Sequence, residues 1–188
     1  MDFRELLQKR RSIRNYEARP VPMEIIKDII SESIMAPNAR NAQPWAFIVV
    51  TNSEVIQKLS DESKQNILKE LEENPVSTLM NYKEILKDPR FNVFYNAPCV
   101  VYIAGLNDVR TSTVDCTLAA SYFMLSAVNR GLGTCWIDLG SAIRDPKMKR
   151  EIGLVDEYRI IATLALGFPD QSQAAAMRNI PKILKVVE

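Results

Sequence analysis

The 188-residue sequence contains no histidine. That absence excludes, within the chain, a Ser-His-Asp triad, a Cys-His dyad, an HExxH metal site and any imidazole proton relay. Cysteine is scarce: Cys99, Cys116 and Cys135 are odd in number, far apart and without a CxxC pair. Neither a metal site nor a redox dithiol is expected, and the three thiols read as small, reduced, buried hydrophobes. An excess of charge is also missing, with 24 Lys and Arg against 23 Asp and Glu. A basic face for nucleic acid is therefore not expected. No apolar run approaches the roughly 18 residues that cross a bilayer. The longest, Cys116 to Val128, is interrupted by Thr117, Ser121 and Ser126. Met1-Asp2-Phe3-Arg4-Glu5 lacks the apolar stretch of a secretory signal, so a soluble cytoplasmic protein is the default expectation. An enzyme built this way leaves its hard chemistry to a bound organic cofactor, which the protein positions and polarises.

Hydrophobic residues make up 47% of the sequence, enough for one compact domain over residues 1–188. Asp2 suits the N-cap of a short helix with Phe3, Leu6 and Leu7 on one face. Ile25, Ile26, Ile29, Ile30 and Ile34 form an apolar helical stripe after Pro22, and Pro37 stops it. Ser53 starts a long charged helix through about Glu73. Thr113 to Arg130 is a helix apolar on nearly every side, ending at Gly131, and Asp145-Pro146 opens a short one. So apolar a helix must be covered all round, which in a small chain implies cover from another subunit. Ala46 to Val50, Cys99 to Ala104, Thr134 to Ile137 and Tyr158 to Gly167 read as strands. Residues 74–96 have weak periodicity and carry Phe91, Phe94 and Tyr95, a mobile or covering segment. The class expected is α+β.

Three segments carry chemistry. In Arg10-Arg11-Ser12-Ile13-Arg14, alternate residues of an extended stretch point one way, so Arg10, Ser12 and Arg14 present two guanidinium forks and a hydroxyl together. That set matches a terminal phosphate, and equally a solvated basic helix end favoured by the dipole. The loop Ala36-Pro37-Asn38-Ala39-Arg40-Asn41-Ala42-Gln43-Pro44-Trp45 offers amides that read the polar edge of a heterocycle, or forms an ordinary Asn-rich turn with Trp45 in the core. The third, Gly131-Leu132-Gly133-Thr134-Cys135-Trp136-Ile137-Asp138-Leu139-Gly140, is no dinucleotide fingerprint. Trp136 stands at the final glycine position and the order runs helix to strand; no phosphate-loop sequence GxxxxGK[ST] occurs either.

In order and spacing, RRSIR, APNARNAQPW leading into FIVV, NAPCVVYIAG, GLGTCWI and LALGFP together resemble the nitroreductase family over essentially the whole chain, least over 61–94. The resemblance implies a nitroreductase-like fold, a central mixed or antiparallel sheet flanked by helices in an intertwined homodimer binding FMN at the subunit interface. It implies that Arg10, Arg11, Ser12 and Arg14 hold the phosphate and polar ring edge. Pro37, Asn38, Ala39, Arg40 and Asn41 contribute from the other subunit, Ile137, Asp138 and Leu139 lie against the ring near N5, and Arg178 returns to the phosphate. It further implies that flavin N5 rather than a side chain carries the chemistry: ping-pong transfer from NADH or NADPH to a small acceptor such as a nitroaromatic or quinone. Asn38 departs from a common serine, and Asp138-Leu139 from a pair that usually includes glycine, so Leu139 is expected to alter access to N5. Phe91, Phe94 and Tyr95 are candidates for a stacking wall or for core. Dehalogenation, azoline or ene oxidation, flavin fragmentation, or a flavin carrier with little turnover remain alternatives on the same fold.

Overall fold

The computed structural model describes residues 2–74, 76–171, 174 and 177–188. Its helices are α1 (Phe3–Lys9), α2 (Met23–Ser33), α3 (Ser53–Glu73), α4 (Lys83–Lys87), α5 (Ser112–Asn129) and α6 (Pro146–Glu151). Its strands are β1 (Trp45–Val50), β2 (Cys99–Leu106), β3 (Gly133–Trp136) and β4 (Tyr158–Gly167). They form one antiparallel sheet in the order β1-β2-β4-β3. The four expected strands are present, and every pairing between them is antiparallel.

Local chemistry sets the boundaries. Asp2 caps α1 in a reciprocal box with Glu5, Asn52 accepts from the Glu54 and Val55 N–H groups at the start of α3, and Asp145 caps α6 ahead of Pro146. Gly131, at φ +73°, ends α5; its N–H donates to Val128 O and that of Leu132 to Ala127 O, the paired closure that a left-handed residue permits.

The sheet is covered on both faces, which is why its strands read as nearly unbroken apolar runs. On one face α3 packs over Val50, Val100, Tyr102, Cys135 and Ala165; on the other α2 and α5 pack over Val101, Ile103, Ala162, Leu164 and Leu166. Residues 76–96 form a 3₁₀ turn (Thr78–Tyr82) and α4, and bury Leu86, Val93 and Phe94 completely or nearly so. This segment is packed structure rather than a loose loop. Buried Lys64 of α3 anchors it, donating to Phe91 O at 2.9 Å while pairing with Asp61. Phe94 lies edge-on to Tyr102 with no exposure and belongs to the core, which removes it as a stacking wall.

Helix α5 does not find full cover within its own chain. Val114 and Tyr122 are exposed, α1 buries none of its residues, and Phe3 and Leu7 stand out in solvent. A cavity of about 470 Å³ lies there, lined by Phe3, Leu6, Glu32, Tyr122, Leu125 and Ser126. At its wall Arg130 joins α5 to α2 through a two-point grip on Glu32, which also accepts from Ser126 Oγ. Hydrogen bonds from Arg130 and then Ser126 hold the Glu32 carboxyl down at about 2, against an ordinary 4.5. A depressed folded-state pKa stabilises above the unfolded value, and the benefit is lost as pH falls from about 4.5 through about 2. Since the Glu32 side chain is 51% exposed, solvent screening holds the effect to about 1 kcal/mol or less. Chemical denaturation between neutral pH and pH 3 should show a shallower acid loss in Glu32→Gln than in the wild type; parallel curves would exclude this pair as a titrating contact.

Candidate functional site

The N-terminal stretch after α1 runs along the free edge of β3. Ser12 and Thr134 form a parallel bridge, the Ile13 N–H donates to Thr134 O at 2.9 Å, and the Glu17 N–H donates to Phe168 O at 2.9 Å. This brings the first and third chemistry-bearing segments together, far apart though they are in sequence. Alternation then sorts the side chains. Ile13 is buried under β3, while Arg10, Ser12 and Arg14 gather around the Cys135 thiol. Burial raises that thiol, and Arg14, Arg10 and Ser12 pull it back in that order. Burial also pushes Cys99 up to about 12 and Cys116 up to about 11, leaving inert, unpaired thiols.

Arg11 faces the other way. Its Nε donates to Ala174 O at 3.1 Å and its Nη1 to Arg10 O at 2.6 Å, so it is not part of the Arg10–Ser12–Arg14 row. Tyr16 continues the alternation. Its hydroxyl donates to Ile13 O at 2.7 Å, and burial drives its phenol well above the ordinary range, so it stays neutral. Arg14 lies 5.6 Å from the centre of the Tyr95 ring, and Tyr95 and Asn96 both have positive φ. Such left-handed non-glycine residues concentrate at built sites. Tyr16 was readable from the two-residue period; nothing local in the sequence marked Tyr95 as Arg14's neighbour.

Beside this row, residues 137–141 leave β3 in a 3₁₀ turn (Asp138–Ser141). Ile137 is engaged within the chain: its N–H donates to Thr163 O at 2.8 Å, its carbonyl accepts from Gly140, and its side chain is buried. That leaves Asp138 and Leu139 to offer the first N–H groups of the turn, which have no partner inside it. The Leu139 side chain is buried in the core, so it points away from the open face that the sequence alone suggested it would obstruct.

The loop Pro37–Asn41 lies elsewhere. It leads into β1, the opposite edge strand, three inter-strand spacings or about 14 Å across the sheet from β3. Within one chain it does not join Arg10 and Arg14. It is nonetheless firmly shaped. Arg40, Asn41 and Gln43 all have positive φ, and Asn38 Oδ1 accepts from the Gln43 N–H while Asn41 Oδ1 accepts from Gln43 Nε2. Asp115 of α5, only 3% exposed, accepts from the Ala39 N–H and from Thr111 Oγ1. A buried carboxylate is expensive unless paired, so its place under a strained loop marks it as the loop's anchor. The signal available beforehand was its being the lone acid within an otherwise apolar helix. Arg178 lies in the exposed stretch 177–188, which forms neither helix nor strand, four residues after Ala174, and is not brought to the row by any hydrogen bond among the described residues.

Among the described residues, no group of three or more potential ligands could hold a metal, and no helix is long and apolar enough to cross a membrane. A family model described as the nitroreductase family matches residues 7–168. Over 211 residues the chain is 24% identical to chloronitrobenzene nitroreductase of Comamonas testosteroni, covering 95% of this chain and 92% of that protein. Over 181 residues it is 25% identical to iodotyrosine deiodinase 1 of Rattus norvegicus, covering 90% of this chain and 63% of that protein. In three dimensions it is similar to the nitroreductase with bound FMN from Bacteroides fragilis, with a TM-score of 0.82 at 21% identity over 100% of each chain.

Proposed function

Because the chain belongs to the nitroreductase family, we propose that it is an FMN-dependent oxidoreductase that takes electrons from NAD(P)H and passes them, as a homodimer, to a small organic acceptor such as a nitroaromatic or quinone. The observation that carries this reading is the row Arg10, Ser12 and Arg14, stitched to β3 beside the turn at Asp138 and Leu139. Neither arginine has an ion-pair partner among the described residues. Two guanidinium forks without carboxylate partners and a hydroxyl suit a phosphate monoester, and main-chain donors next to them suit the polar edge of a flat heterocycle. FMN held there would supply two-electron chemistry between a nicotinamide and the acceptor, so the protein needs no titrating imidazole.

The chain's own residues then bind and orient. Arg10 and Arg14 hold the phosphate and balance negative charge near it, while Ser12 donates from between them. The N–H groups of Asp138 and Leu139 would face the ring. The Pro37–Asn41 loop, anchored by Asp115, serves the site of a second copy, because it lies at the opposite edge of its own sheet. The uncovered faces of α1 and α5 and the apolar residues of the exposed tail, Met177, Ile180, Ile183 and Leu184, supply surface for that association, and Arg178 rides on the same tail.

Purified protein should carry or take up FMN, sediment as a dimer, and lose its flavin colour within seconds of anaerobic mixing with NADH or NADPH. Colour should return on adding a nitroaromatic or quinone. A halophenol belongs in the same acceptor panel, because the deiodinase relative makes dehalogenation the competing acceptor chemistry. Protein that takes up no FMN overturns the cofactor assignment; bound flavin that neither nicotinamide bleaches overturns the electron donor.

A further inference from the structure

The turn at 138–141 is held on its far side in a way that membership of the family does not describe. Glu62, Asn66 and Glu70 recur every four residues and so line one flank of α3. Together they grip the chain directly after the turn. Glu62 Oε1 accepts from the Arg144 N–H at 2.7 Å and the Asp145 N–H at 2.6 Å. Asn66 Nδ2 donates to Ala142 O at 2.7 Å, and Glu70 accepts from the Arg144 guanidinium at 2.5 Å. Two successive main-chain N–H groups converging on one carboxylate oxygen form a charge-assisted clamp, stronger than either neutral bond alone.

Packing shares this hold, since Leu139 and Ile143 are buried in the core, but it leaves a gap on the α3 side. Between α3 and the turn lies a cavity of about 310 Å³, bordered by Ile67, Glu70, Leu139, Ser141 and Arg144. The segment 138–145 is thus packed through Leu139 and Ile143 and fixed by polar contacts at its two ends, the Ile137 N–H on Thr163 O at one and Glu62 at the other. Glu62 Oε2 is buried without a partner among the described residues, and so is Tyr102 Oη. The carboxylate is thus committed to the clamp rather than to solvent.

We propose that Glu62 is a positioning residue for the flavin-facing turn: by clamping Arg144 and Asp145 to α3, it sets where the Asp138 and Leu139 N–H groups point. This rests on the reading that these groups meet the ring. Glu62 touches neither cofactor nor substrate, and it acts through the backbone it holds.

Glu62→Ala is the test, with Glu62→Gln as the conservative variant that keeps one acceptor oxygen. In hydrogen exchange, amides 138–145 should exchange roughly tenfold faster in Glu62→Ala, because their opening loses a restraint, and Glu62→Gln should recover most of the protection. FMN affinity should stay within about threefold of wild type, since the phosphate clamp is untouched, while kcat with NADH falls roughly tenfold from a misplaced donor pair. The flavin midpoint potential should shift in Glu62→Ala and return towards wild type in Glu62→Gln. If Glu62→Ala folds poorly, Asn66→Ala removes the Ala142 anchor and one donor to Glu62 while keeping the carboxylate, and should show the same pattern more weakly. Wild-type exchange, kcat and potential in these variants overturn the proposal. Failure of the wild type to bind FMN instead overturns the cofactor reading, and the exchange arm still reports on the clamp.

Discussion

Replacing Arg10 and Arg14 together by alanine should lower FMN affinity by about 10²–10⁴-fold while leaving the fold in place. Each charge-assisted hydrogen bond to a phosphate contributes roughly 1.5–3 kcal/mol, so two give about 3–6 kcal/mol. The folded apoprotein has little to lose. Arg14 is exposed, neither side chain is ion-paired among the described residues, and what the alanines take away is the contact of the Arg14 guanidinium with the Tyr95 ring and hydroxyl. Removing two neighbouring positive charges offsets part of even that, so stability should move by less than about 1 kcal/mol. Arg11→Ala is the discriminating control. Arg11 carries the same charge in the same pentapeptide, but its guanidinium is turned to Ala174 O and Arg10 O. If only local positive potential mattered, Arg11→Ala would weaken binding as much as either neighbour. With geometry deciding, it should change affinity by less than about fivefold, a surface-charge effect. Titration of apoprotein by quenching of FMN fluorescence measures all three variants, and wild-type affinity in the double variant would remove the phosphate assignment.

The legible part of this molecule was what period and punctuation encode. Arg10, Ser12 and Arg14 share a side because strands alternate; α5 ends at Gly131 because a left-handed residue closes a helix there; and the four apolar runs are strands because both faces of the sheet are covered. The hidden part depended on contacts across long stretches of chain. Asp115 meets Ala39 across 76 positions and Glu62 meets Arg144 across 82, separations that no window of periodicity spans. The strand order is equally non-local. Only β1-β2-β4-β3 sets the Pro37–Asn41 loop and the arginine row on opposite edges, turning a set of site residues into an argument for two copies. Residues 76–96 had weak periodicity because two short helical turns bury only a few side chains and rely on a buried lysine from α3 for the rest. The direction of Leu139 was likewise fixed by the core rather than by its neighbours in sequence.

The stitch between the N-terminal stretch and β3 leads to the second large effect: Gly133→Ala should weaken both the fold and FMN binding. A Cβ at Gly133 would lie 2.5 Å from Ile13 Cγ1, 2.8 Å from Ile13 Cβ and 3.0 Å from Ile13 Cγ2. Rotating the Ile13 side chain cannot relieve this, because its Cβ moves only with the backbone. The stretch must therefore back away from β3, straining the Ile13 N–H bond to Thr134 O and the Ser12 bridge. Overpacking of this kind costs about 1–3 kcal/mol, and for a chain of this length that lowers Tm by about 2–12 °C. The same retreat carries Arg10, Ser12 and Arg14 away from the turn at Asp138, so FMN affinity should fall at least about tenfold. Gly131→Ala separates the two consequences. A Cβ there meets nothing within 4 Å, but φ is +73°, so the substitution strains the helix end by about 1 kcal/mol and should leave FMN affinity alone. Adding Ile13→Ala to Gly133→Ala removes the Cγ1 and Cγ2 clashes, and the pair should be less destabilising than the sum of the singles by about 1 kcal/mol or more. Strict additivity, or a Gly133→Ala protein with wild-type Tm and FMN affinity, would mean that this contact does not hold the arginine row in place.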